Sequence, residues 1–115
     1  MKRKLLVVDD EPQIRKQLKI GLEGHGYEVL TASHGGEAIS LIAQQSPDVI
    51  VLDISLGTPP DGLEVCRRIR EWSKVPIIML SVHDEEKTKV AALMAGADDY
   101  LTKPTHPAEL TARIK

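Results

Sequence analysis

Leu5-Leu6-Val7-Val8-Asp9-Asp10-Glu11 is a short apolar run that breaks abruptly into three carboxylates. A strand with one wet face alternates apolar and polar residues. A continuous run marks a strand covered on both faces, as in parallel sheets flanked by helices. Such a strand should recur along the chain with helices between. Residues 29–32, 49–52, 77–80 and 100–102 read as further strands of this kind.

Helical patterns fill the intervals. Pro12 opens the first, where its missing N–H costs nothing. Ile14, Leu18 and Leu22 form its apolar stripe, and Gly24 and Gly26 offer stop signals. Residues 37–45 read as a second helix with Ile39 and Ile42 turned inward, and 63–72 as a third with Val65, Cys66 and Ile69 on one face. Residues 85–95 read as a fourth, closed by Gly96, and a fifth begins near Pro107 with Leu110 and Ile114. Short right-handed crossovers make a doubly wound α/β sandwich the economical arrangement, with strand order 2-1-3-4-5. In such sheets the functional crevice lies past the carboxyl ends of the strands.

The residues at those ends are Asp9, Asp10 and Glu11 after the first strand and Asp53 after the third. Ser81 follows the fourth, and Lys103 and Pro104 follow the fifth. The first and third strands are neighbours in this order, so Asp9, Asp10 and Asp53 should converge. Carboxylates gathered in a crevice are costly unless a cation neutralises them. The donors are all oxygen, which favours Mg²⁺ or Mn²⁺ over zinc. Lys103 adds a point charge and Ser81 a hydroxyl, both suited to a phosphoryl group. Together they make a phosphoryl-transfer site with Asp53 as nucleophile. Singly, each has a plainer reading as a helix cap, a turn residue or a helix entry. Those plainer readings would all have to hold at once, in register with four strand ends.

Composition narrows the function classes. The 115 residues make one domain, and 42% hydrophobic with 28% charged residues sustain a packed core. Fifteen Lys+Arg against 17 Asp+Glu leave a net charge of −2, which argues against a general nucleic-acid surface or a basic membrane face. Tyr27, Trp72 and Tyr100 are the only aromatics, too few for a base-stacking platform. No apolar run approaches the about 18 residues of a membrane span. The apolar stretch after Met1-Lys2-Arg3-Lys4 is too short for a secretory signal. The single Cys66 excludes an internal disulfide and fits a reducing, cytoplasmic setting.

The motifs at the strand ends together resemble the response-regulator receiver domain of bacterial two-component signalling, the CheY-like family, over the whole of residues 1–115. They are Leu5 through Glu11, Val49-Ile50-Val51-Leu52-Asp53, Pro76-Ile77-Ile78-Met79-Leu80-Ser81, and Ala95 through Pro104. The resemblance implies a flavodoxin-like (βα)5 fold and a phosphoacceptor role rather than an enzyme proper. It makes Asp53 the phosphoacceptor, Asp10 a direct Mg²⁺ ligand and Asp9 a ligand through water. The Ser55 carbonyl completes the metal site. Ser81 is the switch hydroxyl, Lys103 pairs with the phosphoryl group, and Tyr100 turns inward on activation. Lys103-Pro104 is expected to be cis. A sensor histidine kinase is the implied donor.

A finer resemblance is to the OmpR/PhoB winged-helix subfamily. Lys89, Asp98, Asp99, Glu109 and Arg113 match its charged dimer-interface positions. Lys89 with Glu109, and Asp99 with Arg113, would pair across a phosphorylation-dependent homodimer. The stretch Trp72-Ser73-Lys74-Val75-Pro76 resembles KdpE-type regulators of potassium uptake. The fifth helix is still in pattern at Lys115, so a C-terminal DNA-binding output domain is expected beyond it, with DNA contacted only through that domain. A stand-alone receiver of a relay or chemotaxis-type pathway is the alternative.

Some positions depart from the family pattern. The loop Ile54-Ser55-Leu56-Gly57-Thr58-Pro59-Pro60-Asp61-Gly62 is one residue longer than usual, with Gly57 where a proline commonly stands. Thr105 replaces an aromatic residue, which should shrink the apolar patch there. His83, two residues after Ser81, holds a position that tunes dephosphorylation, as does Ser55. Two other classes fit less well. A haloacid-dehalogenase-like phosphohydrolase would carry a second Asp at position 55, which is Ser55. A flavodoxin-like cofactor binder would need a phosphate loop where Asp9-Asp10-Glu11 would repel the phosphate.

Overall fold

The computed structural model describes residues 2–114. Among them five strands alternate with five helices: β1 (Lys4–Val8), α1 (Pro12–Gly24), β2 (Glu28–Ala32), α2 (Gly35–Gln45), β3 (Val49–Asp53), α3 (Gly62–Arg70), β4 (Ile77–Ser81), α4 (Glu86–Met94), β5 (Asp99–Thr102) and α5 (Pro107–Ile114). The strands form one parallel sheet in the order β2-β1-β3-β4-β5. This is the doubly wound, flavodoxin-like arrangement that the apolar runs imply. Lys115, to which the sequence pattern carries the fifth helix, lies outside the described residues.

The two-sided burial of each strand is explicit in the packing. Leu6, Val8, Ile50, Leu52, Ile77 and Met79 pack with α2, α3 and α4 through Ala38, Ile42, Val65, Cys66, Ile69 and Ala92. Their alternates Leu5, Val7, Val49, Val51, Ile78 and Leu80 pack on the other face against Leu18, Leu22 and Leu110 of α1 and α5. Alternate side chains of a strand point to opposite faces, so a sheet with two cores needs apolar residues at every position.

Two helix boundaries differ from the sequence pattern by two residues, and the start of α3 and both ends of α4 by one. α2 starts at Gly35 rather than Glu37, despite two glycines of low helix propensity. His34 caps it, its Nδ1 accepting from Glu37 N at 3.2 Å, while the Glu37 carboxylate accepts from Ser33 N at 2.8 Å. That reciprocal cap offsets the glycines. α3 stops at Arg70 rather than Trp72, and the Arg70 side chain binds the chain that follows. Its guanidinium donates to the carbonyls of Val75 at 2.7 Å and Gly96 at 2.9 Å and pairs with Asp98 at 2.8 Å. Trp72 is left exposed past the helix end.

The register fixes the functional edge. Val8 pairs with Leu52, Asp53 with Leu80, and Ser81 with Thr102. Asp9, Asp53, Ser81 and Lys103 therefore end their strands at one level. α3 is pressed hard against this edge. A Cβ on Gly62 would lie 2.3 Å from the Asp53 carbonyl oxygen, so only glycine fits. Gly62 N also donates to the Ile54 carbonyl at 2.9 Å.

Candidate functional site

Asp9 and Asp53 are almost completely buried, whereas Asp10 is exposed. Carboxylate oxygens of all three lie within 4.8 Å of one another. Lys103 binds across the group, its Nζ donating at 2.9 Å to both Asp9 Oδ2 and Asp53 Oδ2. Each carboxylate is further oriented by backbone. Glu11 N donates to Asp9 Oδ1 at 2.9 Å, and Ser55 N to Asp53 Oδ1 at 3.2 Å. Arg15, which no sequence motif singles out, donates from α1 to the Asp9 carbonyl at 2.6 Å. Its only signal is a basic residue early in a helix, where the dipole disfavours it.

The charges perturb one another. Burial holds the Asp53 carboxyl above the usual carboxylate range, and the nearby Asp9 charge adds to this, against the opposing pull of Lys103. Burial alone would lower the Lys103 ammonium, but its bonds to Asp9 and Asp53 outweigh that and leave it above the ordinary lysine value. The result is a buried nucleophile candidate with a cation beside it and an open carboxylate, Asp10, at the mouth. Three carboxylates so close are a donor set for a hard divalent cation. Asp9, Asp10 and Asp53 form an acidic cluster that fits Mg²⁺ or Mn²⁺.

Ser81 is buried at the end of β4, its Oγ accepting from His83 N at 3.0 Å. Tyr100 lies inward, and its hydroxyl donates to the His83 carbonyl. The family resemblance reserves that placement for the activated state. The ring stays inside because its hydroxyl finds an acceptor there, as a buried phenol requires. His83 therefore joins Ser81 to Tyr100 through its backbone, while its imidazole is exposed, 3.9 Å from Glu85. Lys103–Pro104 is cis, and so is Pro59–Pro60, which no sequence signal marks.

The proposed interface charges lie on α4, β5 and α5. Lys89 and Glu109 are exposed. Arg113 reaches Asp99 of its own chain at 3.4 Å, and Asp98 is committed to Arg70 and to Ile77 N, both at 2.8 Å. Val90, Leu93 and Met94 stand exposed on α4 beside them. Beside Lys103 a groove of about 410 Å³ opens between α1 and the β5–α5 connection, walled by Ile14, Leu18, Val82, Pro104 and Pro107. Cys66 is fully buried, its thiol donating to the Ala95 carbonyl at 3.4 Å, and burial pushes that thiol up. No helix among the described residues is long and apolar enough to cross a membrane.

Comparison with known proteins agrees with this geometry. The family model for the response regulator receiver domain matches residues 5–115. The alkaline phosphatase synthesis transcriptional regulatory protein PhoP of Bacillus subtilis is 49% identical over 100% of this chain, which spans 48% of that relative. Among solved structures, a response regulator from Chloroflexus aurantiacus superposes with a TM-score of 0.93 at 38% identity, covering 100% of this chain and 96% of that one. The BeF3-activated receiver domain of Klebsiella pneumoniae RstA gives 0.91 at 34%, covering 97% and 95%. The chemotaxis protein CheY4 of Vibrio cholerae gives 0.92 at 32%, covering 99% and 97%. With its acidic crevice at the strand ends and the family match along nearly its full length, the chain belongs to the response regulator receiver domains, the signalling modules of two-component systems.

Proposed function

We propose that the chain accepts a phosphoryl group on Asp53 from the phosphohistidine of a sensor kinase. The observation that carries this is the Lys103 ammonium at 2.9 Å from both buried carboxylates, with Asp10 open beside them. Asp53 Oδ attacks phosphorus, the P–N bond breaks, and the imidazole nitrogen leaves with the electron pair. Lys103 meets the charge of the transferred oxygens. Asp10, Asp53 and the Ser55 carbonyl would hold a divalent cation, with Asp9 acting through water, and that cation would supply charge neutralisation for the phosphoryl group.

In this reading the acyl phosphate draws Ser81 toward it and disturbs the hydrogen bonds that run through His83 to Tyr100. A local charge change then shifts the α4-β5-α5 face between populations. That face carries Lys89, Asp98, Asp99, Glu109 and Arg113, and dimerisation there would bring together DNA-binding domains attached beyond the receiver. Arg113 would exchange its own Asp99 for that of a second copy. Exposed pairs of this kind set register more than affinity. His83 and Ser55 flank the approach of hydrolytic water.

Acetyl phosphate with Mg²⁺, followed by intact mass, should add one phosphoryl group to the wild type and none to Asp53→Asn. Labelling of the variant at another residue overturns the assignment. Beryllofluoride should drive dimerisation in sedimentation, and an activated wild type that stays monomeric counts against the interface.

A further inference from the structure

The loop after Asp53 departs most from the family pattern, and its first turn touches the crevice. Gly57 has φ +81°, in the left-handed region. A Cβ placed there would lie 3.1 Å from Asp10 Oδ2, with no other heavy atom so near. Asp10 is the one carboxylate of the three that Lys103 does not bind. Its position is therefore set by what surrounds it. The loop cannot retreat freely, because Leu56 on one side is buried and Gly62 on the other is fixed against Asp53 and Ile54.

We propose that Gly57 is a positioning residue for the cation site: on this left-handed turn its missing Cβ leaves the Asp10 carboxylate room to stand in the ligating geometry, and a Cβ on the same backbone would displace it. This rests on the reading of Asp10 and Asp53 as ligands of a divalent cation. The contact of 3.1 Å is tighter than ordinary van der Waals packing. The carboxylate end of Asp10 is flexible and solvent-facing, so it would give way before the loop does. Displacement of a group that orients a ligand typically weakens metal binding by about 10–100-fold. The lower part of that range is expected, because the Cβ perturbs one ligand and removes none.

Backbone strain needs its own control, and the chain supplies one. Gly26 also has a left-handed backbone, φ +94°, and a Cβ added there would meet nothing within 4 Å. Gly26→Ala thus carries the strain without the contact. Mn²⁺ affinity is measured on both variants and the wild type by electron paramagnetic resonance, with metal-free urea unfolding alongside. Both variants should lose similar stability, but only Gly57→Ala should bind Mn²⁺ about tenfold more weakly. Equal weakening in Gly26→Ala assigns the effect to general strain and overturns the proposal. Unchanged affinity in Gly57→Ala overturns it as well, while leaving the cation site intact. A wild type that binds no Mn²⁺, or an Asp10→Asn variant that binds it as well as wild type, removes the cation-site reading itself and this inference with it. Should Gly57→Ala unfold, Gly57→Asn, which tolerates the left-handed region better, takes its place with the same expected loss.

Discussion

Replacing Lys103 with Met keeps most of the length of the side chain and deletes its charge. Asp9 and Asp53, 1% and 5% exposed, would then face each other without a cation. Their oxygens lie within 4.8 Å. At an effective dielectric of about 20, two like charges at that separation repel by ~3.5 kcal/mol, within the about 3–5 kcal/mol usual for breaking a buried ion pair. The folded-state value of Lys103 lies above that of the unfolded chain, so its stabilisation is fully present below the unfolded lysine value and is lost only as pH rises through the folded one. At pH 7 the whole effect is therefore available. Urea unfolding followed by far-UV circular dichroism, without divalent cations, should show the midpoint falling by about 2 M at a slope of about 2 kcal/mol/M. Lowering the pH toward 5 should shrink the deficit, because the variant's Asp53, its carboxyl raised further without the ammonium, takes up a proton and the repulsion ends. Millimolar Mg²⁺ should shrink it too, since without the competing ammonium the carboxylates bind the cation more tightly and the variant gains more from it than the wild type. A deficit below about 1 kcal/mol, or one equal at pH 5 and pH 7, would refute the view that Lys103 holds the two carboxylates together.

Three other outcomes are expected. Asp53→Asn should raise metal-free stability at neutral pH by about 0.5–2 kcal/mol. The folded Asp53 carboxyl lies above its unfolded value, so the fold favours the neutral form and the cost of ionisation appears as pH rises through the folded value. The gain should vanish in acid, as melting curves at two pH values will show. Gly62→Ala, whose methyl would meet the Asp53 carbonyl oxygen at 2.3 Å, should cost about 1–3 kcal/mol in urea unfolding. Arg70→Met removes donors from the carbonyls of Val75 and Gly96, and hydrogen exchange should rise in the turn before β5 while β1 stays protected.

The sheet is legible in the sequence because burial on both faces leaves a direct trace: apolar runs without alternation, each ended by a polar residue. Strand order follows from crossover geometry, and strand order places Asp9, Asp10, Asp53 and Lys103 together. What stays hidden is whatever depends on one side chain reaching across the fold. Arg70 spans from α3 to the turn before β5, and Arg15 reaches back under β1, yet in sequence both are ordinary helix arginines. His34 gives no sign of its role as a cap because histidine is not a common one. The close approach of the Gly57 turn to Asp10 brings together residues 47 positions apart, which no local pattern encodes.

The tight seat of Gly62 on the backbone of Asp53 has a mechanical consequence. On the α3 side the end of β3 rests against a wall with no slack, closed further by buried Leu56. On the β4 side the next residues, Val82 through Glu85, are all exposed, tied back through the His83 backbone to Ser81 and Tyr100 rather than packed against a helix. A load applied to the Asp53 carboxylate therefore meets a stiff boundary in one direction and a compliant one in the other. Displacement follows compliance, so strain at this carboxylate is expected to pass, as through a rectifier, toward the loop that leads into α4.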